Sequence, residues 1–307
     1  MLPKPPPREG QMGFLFLPPY RIQGISVAGE QTVVQVPELD VVFDIGLCPR
    51  PALASPFVAL SHAHMDHIAG LPYYFSQRMF QKMGVGSCVC HHKIARPIQA
   101  MMRGWIDLEQ QQTQHVVIPL EDSQQIEVKP NIYLRGVEMS HTVPAMGYAL
   151  VEKRSKLREE FVGLPQEKLR ELKNAGTDIT RTLHIPLIAY TGDTEMHPGL
   201  FRDELVTAKV VICECTFFEP DQRSRSSIGK HLHVEDLKTL LAVWQAQHVV
   251  LVHLSRRTNM PVSREEINRV LGEELSSRVH VLMDHRANRA RYEQQMADAG
   301  VTNDAKS

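Results

Sequence analysis

Within seven residues, Ser61-His62-Ala63-His64-Met65-Asp66-His67, the chain carries four side chains able to ligate a metal. That density constrains the fold more than any other feature. Three imidazoles and a carboxylate are borderline ligands suited to zinc. Four donors this close crowd a single ion but can serve two adjacent ones, and a closed structural zinc would more often recruit thiolates. The segment follows the apolar run Phe57-Val58-Ala59-Leu60, which reads as a buried strand. The donors therefore belong to a loop at that strand's C-terminal end, where ligands collect in open α/β sheets.

Three more donors stand at expected strand ends. His141 follows Met139-Ser140, Asp193 closes Tyr190-Thr191-Gly192, and His253 ends Val249-Val250-Leu251-Val252. A core sheet would deliver all three to one edge, and an aspartate can bridge two metals through its two oxygens. Two cations about 3.5–4 Å apart activate water near neutral pH and stabilise both the attacking and the leaving oxygen at phosphorus. Phosphodiester hydrolysis is the reaction expected of such a set.

Around these donors, short β-branched runs alternate with helical patterns, which indicates an α/β class. Strands are expected over 39–46, 57–62, 86–90, 115–119, 125–138, 145–151, 187–191, 210–216 and 248–254. Helices are expected over 67–82 and 94–108, and Leu237, Leu240, Leu241 and Trp244 fall at helical spacing. Residues 1–20, which begin MLPKPPPREG, read as a flexible leader. Residues 21–285 read as the domain. Residues 286–307 read as a C-terminal tail, either a terminal helix or a mobile basic end. Between two core strands, 151–186 break the pattern with the charged run EKRSKLREE and a short helix opened by Leu164-Pro165 and closed by Gly176. On charge alone that segment reads as a solvated surface helix.

Basic residues number 34 and acidic ones 35, so composition points to no nucleic-acid partner, and any such binding needs a local basic patch. No apolar run reaches the roughly 18 residues of a membrane span, and no membrane partner is expected. The five cysteines make no CxxC pair and read as small apolar filler in a reducing, cytoplasmic setting.

The order of motifs resembles the metallo-β-lactamase superfamily and, within it, the short form of the ribonuclease Z family of tRNA 3′-processing endoribonucleases. The resemblance runs from about Ile22 to Leu282. It is carried by FDIG (43–46), SHAHMDHIAGLP (61–72), SHTVPAMGYAL (140–150), YTGDT (190–194), ECTF (214–217), GKHLHVEDL (229–237) and HLSRR (253–257). The stretch KLREEFVGLPQEKLRELKNAGTDIT (156–180) is the more specific match, because HxHxDH is shared across the superfamily.

The resemblance implies an αββα sandwich with a small tRNA-binding arm inserted at 151–186, reversing the reading of that segment from charge alone. It implies two zinc ions, with Mn2+ or another divalent metal as substitutes. His62, His64 and His141 would hold the first, Asp66, His67 and His253 the second, and Asp193 would bridge them. It assigns Glu214 and His231 as a pair in which His231 protonates the leaving 3′-oxygen, with Asp66 placed to orient the attacking water. Lys153, Arg154, Lys156, Arg158 and Arg257 become expected phosphate contacts. The implied substrate is precursor tRNA, cut after the discriminator nucleotide by a homodimer. Thr258 stands where relatives carry tyrosine, and His233 receives no role. A phosphodiesterase acting on a small or different nucleic-acid substrate stays open as the alternative.

Overall fold

The computed structural model describes residues 12–300. Apolar residues that alternate or run continuously along short segments build two sheets. The first has the order β1 (Gly13–Leu17), β2 (Tyr20–Ala28), β3 (Gln31–Val36), β4 (Val41–Phe43), β5 (Phe57–Leu60), β6 (Gly86–His91) and β7 (His115–Leu120). The second contains β8 (Gln125–Lys129), β9 (Ile132–Met139), β10 (Ala145–Leu157), β11 (Thr180–Tyr190), β12 (Val210–Glu214) and β13 (His248–Val252). The two-residue β14 (Leu254–Ser255) returns to pair with β2, and β15 (Val279–Val281) closes the second sheet beside β13.

Each sheet changes character across its width. From β1 to β4 the pairing is antiparallel, and from β4 to β7 it is parallel. In the second sheet β8 to β11 are antiparallel, whereas β11, β12, β13 and β15 run parallel. Parallel strands covered on both faces need near-continuous apolar sequence, which is what Phe57–Leu60 and Val210–Cys213 supply.

The sheets pack through Leu15, Val34, Phe43 and Val89 of the first against Leu134, Tyr148, Ile212 and Val250 of the second. Phe43 stacks on Tyr190 with centroids 4.7 Å apart. Each such side chain contributes about 1.5–3 kcal/mol by leaving water. Helices Leu71–Phe80 and His92–Glu109 cover the outer face of the first sheet. Helices Val234–Val243 and Met260–Ser276 cover the second. The result is the αββα sandwich expected. All five cysteines are free and buried. Among the described residues no helix is long and apolar enough to cross a membrane.

The ends of the chain correct the sequence reading. Residues 1–11 of the expected leader lie outside the described residues, but 13–20 are not a leader. Leu15 and Leu17 of β1 are buried in the main core, because GFLFL offers apolar side chains that the preceding prolines obscured. Of the two readings of the C-terminal segment, the terminal helix holds, and it packs on the domain as part of it. Helix His285–Asp298 lies on β1, with Tyr292 edge-on to Phe14 at 5.4 Å and the Gln295 amide donating to the Phe16 carbonyl at 3.0 Å. Residues 301–307 lie outside the described residues.

Strands β10 and β11 form an antiparallel ribbon that continues past the buried sheet. Pairing runs from Tyr148↔Tyr190 to Leu157↔Thr180, with a register shift at Leu150/Val151. Beyond Val151 no residue of the ribbon or its tip is buried until Leu187, and helix Gln166–Asn174 at the tip buries none of its side chains.

Candidate metal centre and active site

The loop after β5 works because one buried carboxylate fixes its geometry. Asp44 follows β4 in the left-handed region (φ 56°) and is fully buried. Its Oδ1 accepts from the Ser61 amide at 2.6 Å, and its Oδ2 accepts from Ser61 Oγ at 2.8 Å and the Tyr190 hydroxyl at 2.5 Å. His67 Nδ1 also lies 2.8 Å from that oxygen. With Nδ1 held there, His67 presents Nε2 to the cleft. Gly46 lets this loop fold back on β4, since a Cβ there would lie 1.8 Å from the Asp66 carbonyl oxygen.

Two groups of donors result. His62 Nε2 lies 3.0 Å from His64 Nδ1, which lies 3.4 Å from His141 Nε2. The His141 ring is aimed by its Nδ1, 3.1 Å from the Lys230 carbonyl. In the second group, His67 Nε2 lies 3.3 Å from His253 Nε2, and each is 3.5 Å from Asp66 Oδ2. Asp193 Oδ2 reaches both groups, at 3.7 Å from His62, 3.3 Å from His67 and 3.2 Å from His253. Gly192 makes that approach possible with φ 59°, and a Cβ there would lie 2.5 Å from Ser61 Cβ.

Charge is unevenly distributed over the cluster. Burial lowers the pKa of His62, and also of His64 and His141, favouring the neutral imidazoles that ligate metals. Burial opposes ionisation of Asp66, but hydrogen bonds from His253 and His67 override it and hold the carboxyl well below the usual range. Asp193 is depressed likewise, its burial outweighed by His253 and His67.

A metal pair fits this donor set on a specific observation. Asp193 Oδ1 is buried without a hydrogen-bond partner, although oxygens so buried normally have one. His62, His64 and His141 offer atoms mutually within 4.8 Å, as do Asp66, His67 and His253. Imidazole and carboxylate alone, without thiolate, suit zinc in a reactive setting.

Glu214 and His231 adjoin the cluster. Glu214 ends β12, and its Oε1 accepts from the Thr194 amide at 2.9 Å and lies 3.0 Å from His231 Nδ1. Burial works against a charge on His231, but the attraction and hydrogen bond of Glu214 push its pKa up to about 9. The His231 ring is 5.0 Å from that of His141 and 5.2 Å from that of His253. Thr216, which the sequence did not single out, links the two halves. Its hydroxyl donates to Glu214 Oε2 at 2.9 Å and lies 3.0 Å from His253 Nδ1. Asp44 was visible within the FDIG motif, but nothing local revealed its partners Ser61, His67 and Tyr190.

The remaining sequence candidates fall elsewhere. His233 caps helix Val234–Val243, its Nδ1 accepting from the Glu235 amide at 3.2 Å. Lys153, Arg154, Lys156 and Arg158 lie on the ribbon. Arg154 pairs with Glu152 and Arg158 with Asp178, each at 2.7 Å, while the Lys153 ammonium sits 3.6 Å over the Tyr133 ring. Lys156 makes no ion pair among the described residues. Arg257 is exposed in the turn after β14 and shows no side-chain contact to the cluster among the described residues.

A family model described as a beta-lactamase superfamily domain matches residues 49–254. The chain is 31% identical to the chloroplastic tRNase Z TRZ2 of Arabidopsis thaliana over 252 residues, covering 81% of this chain and 71% of that one. It is 32% identical to a nuclear ribonuclease Z of Triticum aestivum over 164 residues, which is 53% of this chain and 93% of that one. The fold is shared with the solved short form of human tRNase Z at a TM-score of 0.55 and 15% identity, covering 89% of this chain and 96% of the other.

Proposed function

Because the chain belongs to the ribonuclease Z family of the beta-lactamase superfamily, and is a hydrolytic endoribonuclease by that membership, we propose that it removes the 3′ trailer from precursor tRNA. The cut falls after the discriminator nucleotide and leaves a 3′-hydroxyl on the tRNA and a 5′-phosphate on the trailer. The observation that carries this reading is the Glu214–His231 pair standing against the donor cluster, a charged acid beside groups that could hold metal ions.

His62, His64 and His141 would hold one zinc ion, Asp66, His67 and His253 a second, with Asp193 facing both. Bound there, the two cations, or Mn2+ in their place, supply water activation and neutralise charge developing on the phosphate oxygens. Asp66 has a second task. Its Oδ2 is fixed by the Gly29 amide at 2.7 Å, which aims the carboxylate to orient the attacking water. His231 carries the proton for the leaving 3′-oxygen on Nε2, since Nδ1 is taken by Glu214. An alkoxide leaves poorly without that proton, and a placed acid contributes about 10²–10⁴-fold.

The ribbon supports the choice of RNA over a small ester. It presents Lys153 and Lys156 on a surface with no buried residue, as a backbone-reading arm would. Arg257 is proposed as a further phosphate contact. We take the working unit to be a homodimer on the family resemblance, checked by sedimentation of the purified chain. The five buried thiols suit a reducing compartment such as the cytoplasm.

Replacing residues 158–179 by a two-residue Asn-Gly turn tests the reading, because Leu157 and Thr180 are paired and a hairpin can close there. Cleavage of precursor tRNA is expected to fall while hydrolysis of a small chromogenic phosphodiester persists. Undiminished tRNA cleavage, or a small ester turned over far better than tRNA by the full chain, favours the alternative of a small-substrate phosphodiesterase.

A further inference from the structure

Away from the metal cluster, at the outer edge of the second sheet, a cavity of about 350 Å³ lies between helix Met260–Ser276, strand β15 and helix His285–Asp298. Its volume is within the range of small-ligand sites. Its wall is cationic. Arg264 is neutralised by Asp284, with which it is in direct contact, but Arg291 has no acceptor among the described residues, and its Nε is buried without a partner. Beside it, His280 Nε2 lies 3.1 Å from His248 Nδ1, and the other nitrogen of each ring has no hydrogen-bond partner among the described residues.

In their protonated forms these groups repel one another. Burial first, and then the Arg291 charge, depress both imidazoles, His280 to about 3. Burial likewise lowers the Arg291 guanidinium. A half-buried guanidinium with an orphaned Nε, beside imidazoles held neutral, is an arrangement that an anion would relieve. A carboxylate brings one charge and two oxygens. A phosphate monoester brings nearly two charges and three acceptor oxygens, enough for the planar guanidinium fork and a recharged imidazole together.

We infer that this cavity binds a phosphate group, held by Arg291 and by His280, whose ring is backed by His248, at a site separate from the catalytic cluster. The shared chemistry is that of inorganic phosphate and of a nucleoside 5′-monophosphate.

The test uses the full-length, zinc-loaded chain and reads the ring signals of His248 and His280 by NMR, which report this cavity and not the metal centre. Phosphate, AMP and acetate are titrated separately. Saturable shifts with phosphate or AMP at a Kd of about 1 mM or tighter, accompanied by a rise in the ring pKa values, are expected. They should weaken at least tenfold in Arg291→Met, and the tighter of the two ligands identifies the source. No ring shift, an unchanged affinity in Arg291→Met, or acetate binding as tightly as phosphate overturns the inference. Unaltered RNA cleavage by Arg291→Met shows that the variant is folded. If it is not, His280→Gln and Arg291→Lys take its place and must weaken binding.

Discussion

Asp44 Oδ2 lies 2.8 Å from His67 Nδ1, with neither side chain exposed to solvent. The same carboxylate holds Ser61 and Tyr190, so one residue ties β4, the donor loop and β11 together. Removing it strands buried donors. Asp44→Ala is expected to destabilise the fold by about 3–5 kcal/mol, as breaking a buried charged pair does. Asp44→Asn, which retains shape, should weaken zinc binding by roughly 10–100-fold by loosening a ligand's support. Urea unfolding and competition against a chromogenic chelator measure the two effects.

The Glu214–His231 pair makes a prediction about pH. An acid catalyst works only while protonated, so activity should fall as pH rises through the His231 pKa, pushed up to about 9. Glu214→Gln removes the charge that raises it, and the alkaline limb of kcat should move to lower pH. His231→Ala should lose about 10²–10⁴-fold on RNA. The loss should be much smaller on a p-nitrophenyl diester, whose leaving group needs no proton. Equal losses on both substrates would assign His231 a structural role.

Gly192 shapes the bridging position. With φ at 59° and only 2.5 Å between an added Cβ and the Ser61 Cβ, alanine has no room here. Gly192→Ala is expected to cost about 1–2 kcal/mol for the backbone and about 1–3 kcal/mol for the overlap. Displacement of Asp193 should also lower kcat by about 10²-fold. Thermal denaturation and steady-state kinetics report these separately.

The ribbon's basic residues should contribute unequally. Arg154 and Arg158 already carry carboxylate partners, so their replacement by alanine should change the salt dependence of tRNA binding little. Lys156→Ala should reduce the slope of log K against log salt by about one, as loss of a free phosphate contact does. Filter binding across a salt series distinguishes them.

The donors were legible because each stands where a β-branched run stops. His141, Asp193 and His253 needed only the strand pattern to be placed at the ends of strands of one sheet, β9, β11 and β13. The support around them was not. Tyr190 reaches Asp44 across 146 residues, and no local signal couples them. Strand boundaries shrank for related reasons: β4 stops at Phe43 because Asp44 turns left-handed, and the expected helix over 67–82 breaks at Gly70, which packs against Ile45 and Cys48. The expected strand 125–138 is two, turned at Asn131 with φ 64°. The docking of the terminal helix escaped because HRANRARYEQQMAD carries no apolar stripe, and that docking rests on Asn288, Tyr292 and Gln295.

Incubating the purified chain and zinc with a trailer-bearing precursor tRNA transcript, then mapping both product ends, goes most directly to the proposed activity. A single cut after the discriminator nucleotide, with a 3′-hydroxyl on the tRNA, a 5′-phosphate on the trailer and no cutting by Asp66→Ala, is the expected outcome. An intact transcript, or cleavage that survives Asp66→Ala undiminished, contradicts it.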